Sequence, residues 1–559
     1  MSEIRFFALG GLAENGKNMF VIDVDGDLFV LDAGIKFPTS EFYGVDEIIP
    51  DYKSLIRVKS RIKGFFMTHA HEDHIAALPH ILRELNVAVY ATKFTMEVIK
   101  DNLKEAGLNI DDYQLNVINQ DSIIKFGNVR VAFFNTTHSI PESVGIAIQT
   151  VKGNIIYTSD FTFDQSGNSK YQTDFNKINK LADKDVLALL IESVGSSEVR
   201  SSNMNLELSH RLNSSFSNSK GRIIVSLFSS DLLKIQNVID IALNHNKKIA
   251  IIGRKAQRIV DIAINEGYLD IPEKSLINLK FIDEKNKNND DNIVALITGQ
   301  RHEPFYMLQR MSKKSDRLIH IDENDTIIIM TAPVPGTEKM AARTLDILFR
   351  TDAKIEVIEN RLLSYSHASS EEIKMMINML KPKYIIPVIG EFRHQYRVRK
   401  LAKDIGYKEE NVFIMDNGDV LNFDEDPYVS KGDINVGEIL IDGTALDDDN
   451  NMVLRDRELL ADDGALIIVA HVDPRNKTIV GDIQIVTKGF VYVKESEEIL
   501  TQIKNEFISI SDKHLSGKYV NWGEFKNDAR KNLSKFIYQL TKRSPITIPV
   551  IISTEITKK

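Results

Sequence analysis

The chain has 559 residues, 43% of them hydrophobic and 27% charged, which is the ordinary mix of a folded globular protein. It has no cysteine, so disulfides and thiolate metal sites are excluded. No apolar run reaches the roughly 18 residues that a transmembrane helix needs, and a net charge of −9 argues mildly against a nucleic-acid partner unless a local patch is basic. The length calls for about three or four domains. Met1-Ser2-Glu3-Ile4-Arg5 leads straight into strand-like sequence without the apolar stretch of a signal peptide. The expectation is a cytoplasmic protein with no membrane partner.

Through residue 200, short apolar strands (20–24, 28–31, 65–68, 88–91) alternate with helices, one starting near 75 and one near 95–106, which predicts layered α/β structure. The strand at 28–31 ends at Asp32. The strand at 65–68 runs into His69-Ala70-His71-Glu72-Asp73-His74, and the chain has only 13 histidines. His69 and His71, two apart on an extended segment, lie on one side. Asp73 and His74 then turn towards a neighbouring position. Imidazole and carboxylate suit Zn²⁺ or Mn²⁺; the bland alternative is a solvated polar loop. His138 follows a strand-like run at 129–134, and Asp160 follows another at 155–157. Taken alone, each could be a core histidine or a turn residue. After the first motif they complete a two-metal set, with Asp160 as the bridging carboxylate. Asp32 reads as a group that orients a ligand histidine.

From 201 to 350 a different α/β unit intervenes, with strands at 223–226, 248–252, 293–298 and 326–331 and a surface loop at 286–292. The first pattern resumes over 351–426, so the unit reads as an insertion. Ser369 and Glu372 form a capping box, and Ile373, Met376, Ile377 and Leu380 give the stripe of the helix it starts. His367 therefore lies just before a helix N-terminus, which favours anions. Arg393, Arg397, Arg399, Lys400 and Lys403 follow as a basic cluster, either a solvated face or a phosphate-binding one. Residues 427–436 read as a linker. A last domain at 437–559 has strands at 465–470, 478–487 and 547–552 and helices at 496–511 and 524–541.

The His69–His74 motif with His138 and Asp160 resembles the metallo-β-lactamase superfamily. Glu192 after the apolar run 186–191, Ser364-Tyr365-Ser366-His367, and Ile386-Pro387-Val388-Ile389-Gly390-Glu391 look like the three extra motifs of the β-CASP nucleases. Ala332-Pro333-Val334-Pro335-Gly336-Thr337-Glu338-Lys339, Val453-Leu454-Arg455-Asp456-Arg457 and Lys488-Gly489-Phe490-Val491-Tyr492 narrow the resemblance to ribonuclease J. The fold it implies is an αββα metallo-β-lactamase sandwich with an inserted β-CASP α/β domain and a small α/β C-terminal domain used in oligomerisation.

The departures are equally informative. The family's second-metal histidine is Ile389 here, and a family histidine four residues before His367 is Leu363. The small residue before His367 is Ser366 rather than Gly, and the family's Thr-Gly-Asp reads Thr158-Ser159-Asp160. Ser193-Val194-Gly195, Gly299-Gln300-Arg301-His302-Glu303-Pro304 and Asp231 with Leu233 also depart from the family pattern. Such substitutions fit the second, accessory paralogue.

The resemblance implies Zn²⁺ or Mn²⁺, up to two per chain, held by His69, His71, Asp73, His74, His138 and Asp160, the second site weakened by Ile389. It gives His367, Asp73 and Glu192 catalytic roles, with His367 as the acid, and makes Asp32 and Glu391 supporting groups. It places RNA phosphate at Ser193, Ser364, Ser366 and His367. The implied activity is weak 5′-to-3′ exoribonuclease action on 5′-monophosphorylated single-stranded RNA, or endoribonuclease action, in RNA decay and rRNA and mRNA processing. The alternative is a structural subunit assembling with itself or with an active ribonuclease J paralogue. A small-molecule hydrolase is the remaining reading, and the two extra domains argue against it.

Overall fold

The computed structural model describes residues 2–38, 44–165, 169–199, 204–253, 257–277, 292–334, 336–363, 366–443, 445–447, 451–490, 497–517 and 519–554. Ser364, the loop at 286–291 and Val491-Tyr492 lie outside them. The described residues form two compact units: 1–37 with 47–439, and 38–46 with 440–559.

In the first unit, alternating apolar sequence builds two sheets. One has eight strands in the order Tyr428–Ser430, Val420–Asn422, Ile4–Gly10, Met19–Val24, Asp27–Leu31, Ile62–Phe66, Val89–Thr92, Leu115–Ile118. The other has six: Tyr384–Val388, Val186–Glu192, Gly153–Tyr157, Val144–Thr150, Val129–Asn135, Ile123–Phe126. Their inner faces share one core, in which Phe6, Phe20, Ile22, Phe29 and Phe66 meet Phe133, Ile146, Tyr157, Leu190 and Ile386. Helices cover the outer faces. Phe175–Ala182, Ser370–Leu380 and Phe392–Asp404 bury Ile178, Ile373, Met376, Val398 and Leu401 against the six-stranded sheet. Leu78–Leu85 and Lys93–Glu105 serve the other. The expected αββα layering is present.

The unit inserted between Glu192 and Tyr384 carries an all-parallel sheet in the order Lys248–Ile252, Ile293–Gly299, Ile223–Phe228, Thr326–Ile329, Lys354–Val357. Its central strands are buried but for the half-buried Phe228, as a parallel sheet clothed by helices requires. The carboxyl ends of two of these strands lead to Ser230 and Gln300, whose carbonyl and side-chain amide meet His71 and Glu72.

Residues 427–436 are not wholly a linker: Tyr428–Ser430 is an antiparallel strand on Val420–Asn422. The strand expected at 65–68 ends at Phe66, which leaves Thr68 in the loop that carries the histidines. The second unit has a three-stranded sheet, Thr478–Lys488, Ala465–Asp473, Ile546–Ser553, with helices Glu497–Leu515 and Trp522–Thr541 packed on one face. No helix among the described residues is long and apolar enough to cross a membrane.

Candidate metal centre

The centre lies where strand ends of the two sandwich sheets converge. Asp32 follows Asp27–Leu31, and Met67 to His74 follow Ile62–Phe66. His138 follows Val129–Asn135, Asp160 follows Gly153–Tyr157, and Glu192 ends Val186–Glu192. Gly34 is required for close approach, because a Cβ there would sit 1.6 Å from the Asp73 carbonyl oxygen. The Ala33 N–H donates to the His74 carbonyl at 2.7 Å, and the Asn18 N–H donates to the Asp73 carbonyl at 3.1 Å. The histidine loop is thus tied by backbone bonds on two sides.

Asp160 is the hub. Its Oδ2 lies 3.7 Å from His69 Nε2, 3.6 Å from His74 Nε2, 3.6 Å from His138 Nε2 and 3.7 Å from His367 Nδ1. His69, His71, His138 and Asp160 each offer a ligand atom within 4.8 Å of the others, and so do Asp160, Glu192 and His367. His69 Nε2 and Asp160 Oδ1 are buried and make no hydrogen bond. Buried polar atoms of native proteins are almost always paired, so orphaned donor atoms in one cluster of ligand-type side chains fit a divalent cation bound among them.

Burial drives the His69 ring well below ordinary imidazole, and the neighbouring histidines push the same way. Burial does the same to His71 and His138. Neutral rings are the metal-binding form. His74 goes the other way: burial opposes its charge, but Asp73, Asp32 and Asp160 outweigh it. Burial likewise opposes ionisation of Asp160, yet His367 and His74 hold its carboxyl well below the usual range.

Asp32 touches no metal-type cluster and instead organises one. Its carboxylate accepts from the Thr68 N–H at 2.8 Å, from the Tyr157 hydroxyl at 2.8 Å, and from His74 Nδ1 at 2.8 Å. Thr68 Oγ1 stands 3.0 Å from His69 Nδ1. His138 Nδ1 donates to the Ser366 carbonyl at 2.7 Å. His71 Nδ1 lies 3.0 Å from His138 Nε2, and its Nε2 lies 3.1 Å from the Ser230 carbonyl of the inserted unit.

His367 Nδ1 is 2.8 Å from Glu192 Oε2. The other Glu192 oxygen accepts from the Phe161 N–H at 2.7 Å and the Ala368 N–H at 2.9 Å. Burial disfavours charge on His367, but Asp160 and Glu192 prevail and raise it well above ordinary imidazole. Burial also raises Glu192, against the pull of His367.

Other expected residues fall elsewhere. Asp73 is outside both clusters; its Oδ2 is 3.6 Å from His74 Nε2, and Asn18 Nδ2 contacts both, 3.2 Å from Asp73 and 3.1 Å from His74. Glu391 supports no ligand histidine: its carboxylate pairs with Arg393 and lies 3.4 Å from Asn15 Nδ2. Ser193 is fully buried and donates its hydroxyl to the Ile389 carbonyl at 2.9 Å, so it is not disposed to meet a phosphate. Ser366 and His367 line a cavity of about 460 Å³ with His71, Asp73, Ser230, Lys234 and Gln300. Ile389 is buried in the sandwich core at a left-handed φ of 51°.

Sequence reasoning missed Asn18, Tyr157, Ser230 and the Gln300–Glu72 hydrogen bond. Burial raises Glu72 to about 8, with Glu47 and Asp73 adding to it. Only Tyr157 had a usable signal, three residues before Asp160.

Comparison with known proteins agrees with this geometry. The family described as beta-lactamase superfamily domain matches residues 47–189. Ribonuclease J, beta-CASP domain, matches 220–348, and the Zn-dependent metallo-hydrolase RNA specificity domain matches 360–415. The ribonuclease J C-terminal domain matches 452–554. The chain is 38% identical over 550 residues to ribonuclease J 2 of Staphylococcus aureus strain NCTC 8325, covering 98% of each chain. It is 38% identical over 549 residues to ribonuclease J 2 of Staphylococcus epidermidis strain RP62A, with the same coverage. A crystal structure of a protein of unknown function from Enterococcus faecalis V583 shares the fold, with a TM-score of 0.52 and 13% identity, over 75% of this chain and 100% of that one.

Proposed function

This chain belongs to the ribonuclease J family of metal-dependent nucleases, and on that footing we propose that it is a weak 5′-to-3′ exoribonuclease of the cytoplasm. Its substrate would be single-stranded RNA with a 5′-monophosphate. The observation that carries this reading is the Asp160 carboxylate, set among four imidazoles, with Asp160 Oδ1 and His69 Nε2 buried and without a hydrogen bond.

His69, His71, His138 and Asp160 would hold the first ion. Asp73, His74 and Asp160 would hold a second more weakly, because Ile389 has no donor. A bound ion of this kind supplies Lewis acidity at the scissile phosphate. His367 carries the proton for the leaving sugar oxygen. Glu192 fixes the His367 ring through Nδ1, so Nε2 is the delivering nitrogen. Ser366, on the cavity wall, is left to meet the 5′-phosphate, and Leu363 removes a donor there. Degradation that is faster on 5′-monophosphorylated than on 5′-hydroxyl RNA, with Mn²⁺ present, would support this; equal rates on both would reject end selection.

A second reading, an accessory subunit, is favoured by the outer sheet face of the C-terminal unit. Val486, Ile467 and Ile548 lie side by side across the three strands, and Val486 and Ile548 are 45% and 44% exposed. Contiguous exposed apolar surface marks an interface. Homo-oligomers and hetero-oligomers with a ribonuclease J paralogue are the partners this implies, and they can coexist with catalysis.

A further inference from the structure

The helix Phe392–Asp404 starts directly after Glu391, on the loop that carries Ile389 to the sandwich core. Gln395, Val398, Leu401 and Ala402 form its buried face. Phe392, Tyr396 and Lys400 recur at i, i+4 on the open face, so they form one stripe; Phe392 is 55% and Tyr396 41% exposed. Single exposed apolar side chains need no explanation, but two rings one turn apart among cations do. The Phe392 ring has no aromatic or cationic partner among the described residues. Arg399 and Lys400 each lie 5.0 Å from the Tyr396 ring centroid.

Arg393 pairs with Glu391, and Arg399 is 3.6 Å from Glu409. Arg397, Lys400 and Lys403 make no ion pair among the described residues. Asp404 is the acid at the far end of the helix. A chain of net charge −9 thus gathers five cations on one helix.

We propose that this face is a docking strip for single-stranded RNA. Phe392 and Tyr396 stack bases, and Arg397, Lys400 and Lys403 neutralise backbone phosphates. Rings that stack any base, set between cations that track a backbone, are the general means of holding single strands. A duplex keeps its bases stacked on each other and offers these rings no face. The inference rests on the nuclease reading for the identity of the polymer.

The test is binding of a fluorescent oligo(A) of about 20 nucleotides, longer than the usual site sizes, to the full chain in EDTA, with salt varied. Phe392→Ala with Tyr396→Ala should weaken binding roughly tenfold or more, given the usual worth of base–aromatic stacking. Arg397→Ser, Lys400→Ser and Lys403→Ser together should reduce the log–log salt slope by about 2. All five side chains are exposed or half-buried, so an unchanged melting temperature would show that folding is intact. Wild-type affinity in the double aromatic variant would overturn the proposal. So would failure of the wild-type chain to bind, or a variant that binds RNA normally but loses self-association, which would make the strip a protein interface. A wild-type chain that binds through this strip yet never cuts RNA would support the strip and reject the nuclease reading.

Discussion

Ser193 and Ile389 are joined twice: the Ser193 N–H donates to the Ile389 carbonyl at 3.1 Å and its hydroxyl donates at 2.9 Å. The Ile389 N–H in turn donates to the Gly11 carbonyl at 3.0 Å. The backbone at 389 is therefore pinned in the left-handed region, where a β-branched residue is a genuine outlier and histidine is better tolerated. Ile389→His should place an imidazole where the family has one. Calorimetric titration with Mn²⁺ should then show a second binding event that the natural chain lacks or has only weakly. The variant should melt lower without metal, having lost buried apolar contact, and regain stability with Mn²⁺. Two equally tight sites in the natural chain would contradict this.

His367→Ala should lower the maximal rate by roughly 10²-fold, the usual worth of general acid catalysis, with RNA binding nearly unchanged. Glu192→Gln should act in the same direction through the loss of a 2.8 Å charged partner. Single-turnover kinetics would separate the two steps, and an unchanged rate in His367→Ala would remove it from the mechanism.

Asp32→Asn should cost roughly 2–4 kcal/mol of stability, because one buried carboxylate serves Thr68, His74 and Tyr157 and each would lose a charged acceptor. Metal affinity should fall about 10- to 100-fold, as for other orienting partners. Denaturant melts and metal titrations check both effects.

The charge cluster at Glu438 gives a pH prediction. Burial disfavours its ionisation, but Lys17 and Lys36 overcome this and lower the carboxyl below its ordinary value. The folded state thus binds this proton less readily than the unfolded state. The contribution is present above the unfolded pKa and is lost as pH falls through the lower folded one. Glu438→Gln should melt lower than wild type at neutral pH, and the difference should close on acidification. A gap that persists at acid pH would point to packing instead.

Much of the candidate site was legible because it is local. A strand running into His69–His74 and a Ser369–Glu372 capping box are short-range patterns, and both Ser369 and Glu372 make the reciprocal bonds expected of them. Contacts that depend on long sequence separation left no trace. The Ser230 carbonyl meets His71 across 159 positions, and Ser193 turns its hydroxyl to Ile389 across 196. Tyr428–Ser430 looks like linker in sequence because a three-residue edge strand is set by its partner, Val420–Asn422, rather than by its own pattern.

Ile548→Asp with Ile467→Asp should break self-association without unfolding the C-terminal unit, since both side chains lie on the sheet face away from the helices. Deleting residues from Asp433 onward should do the same, whereas His69→Ala with His71→Ala should leave assembly intact. Sedimentation velocity decides between these outcomes.

The most direct measurement is degradation of 5′-monophosphorylated RNA by the purified chain with Mn²⁺, compared with the same chain carrying His69→Ala and His71→Ala. The natural chain should release mononucleotides slowly from the 5′ end and the variant none. Equal degradation by both would contradict a centre built on Asp160 and its histidines.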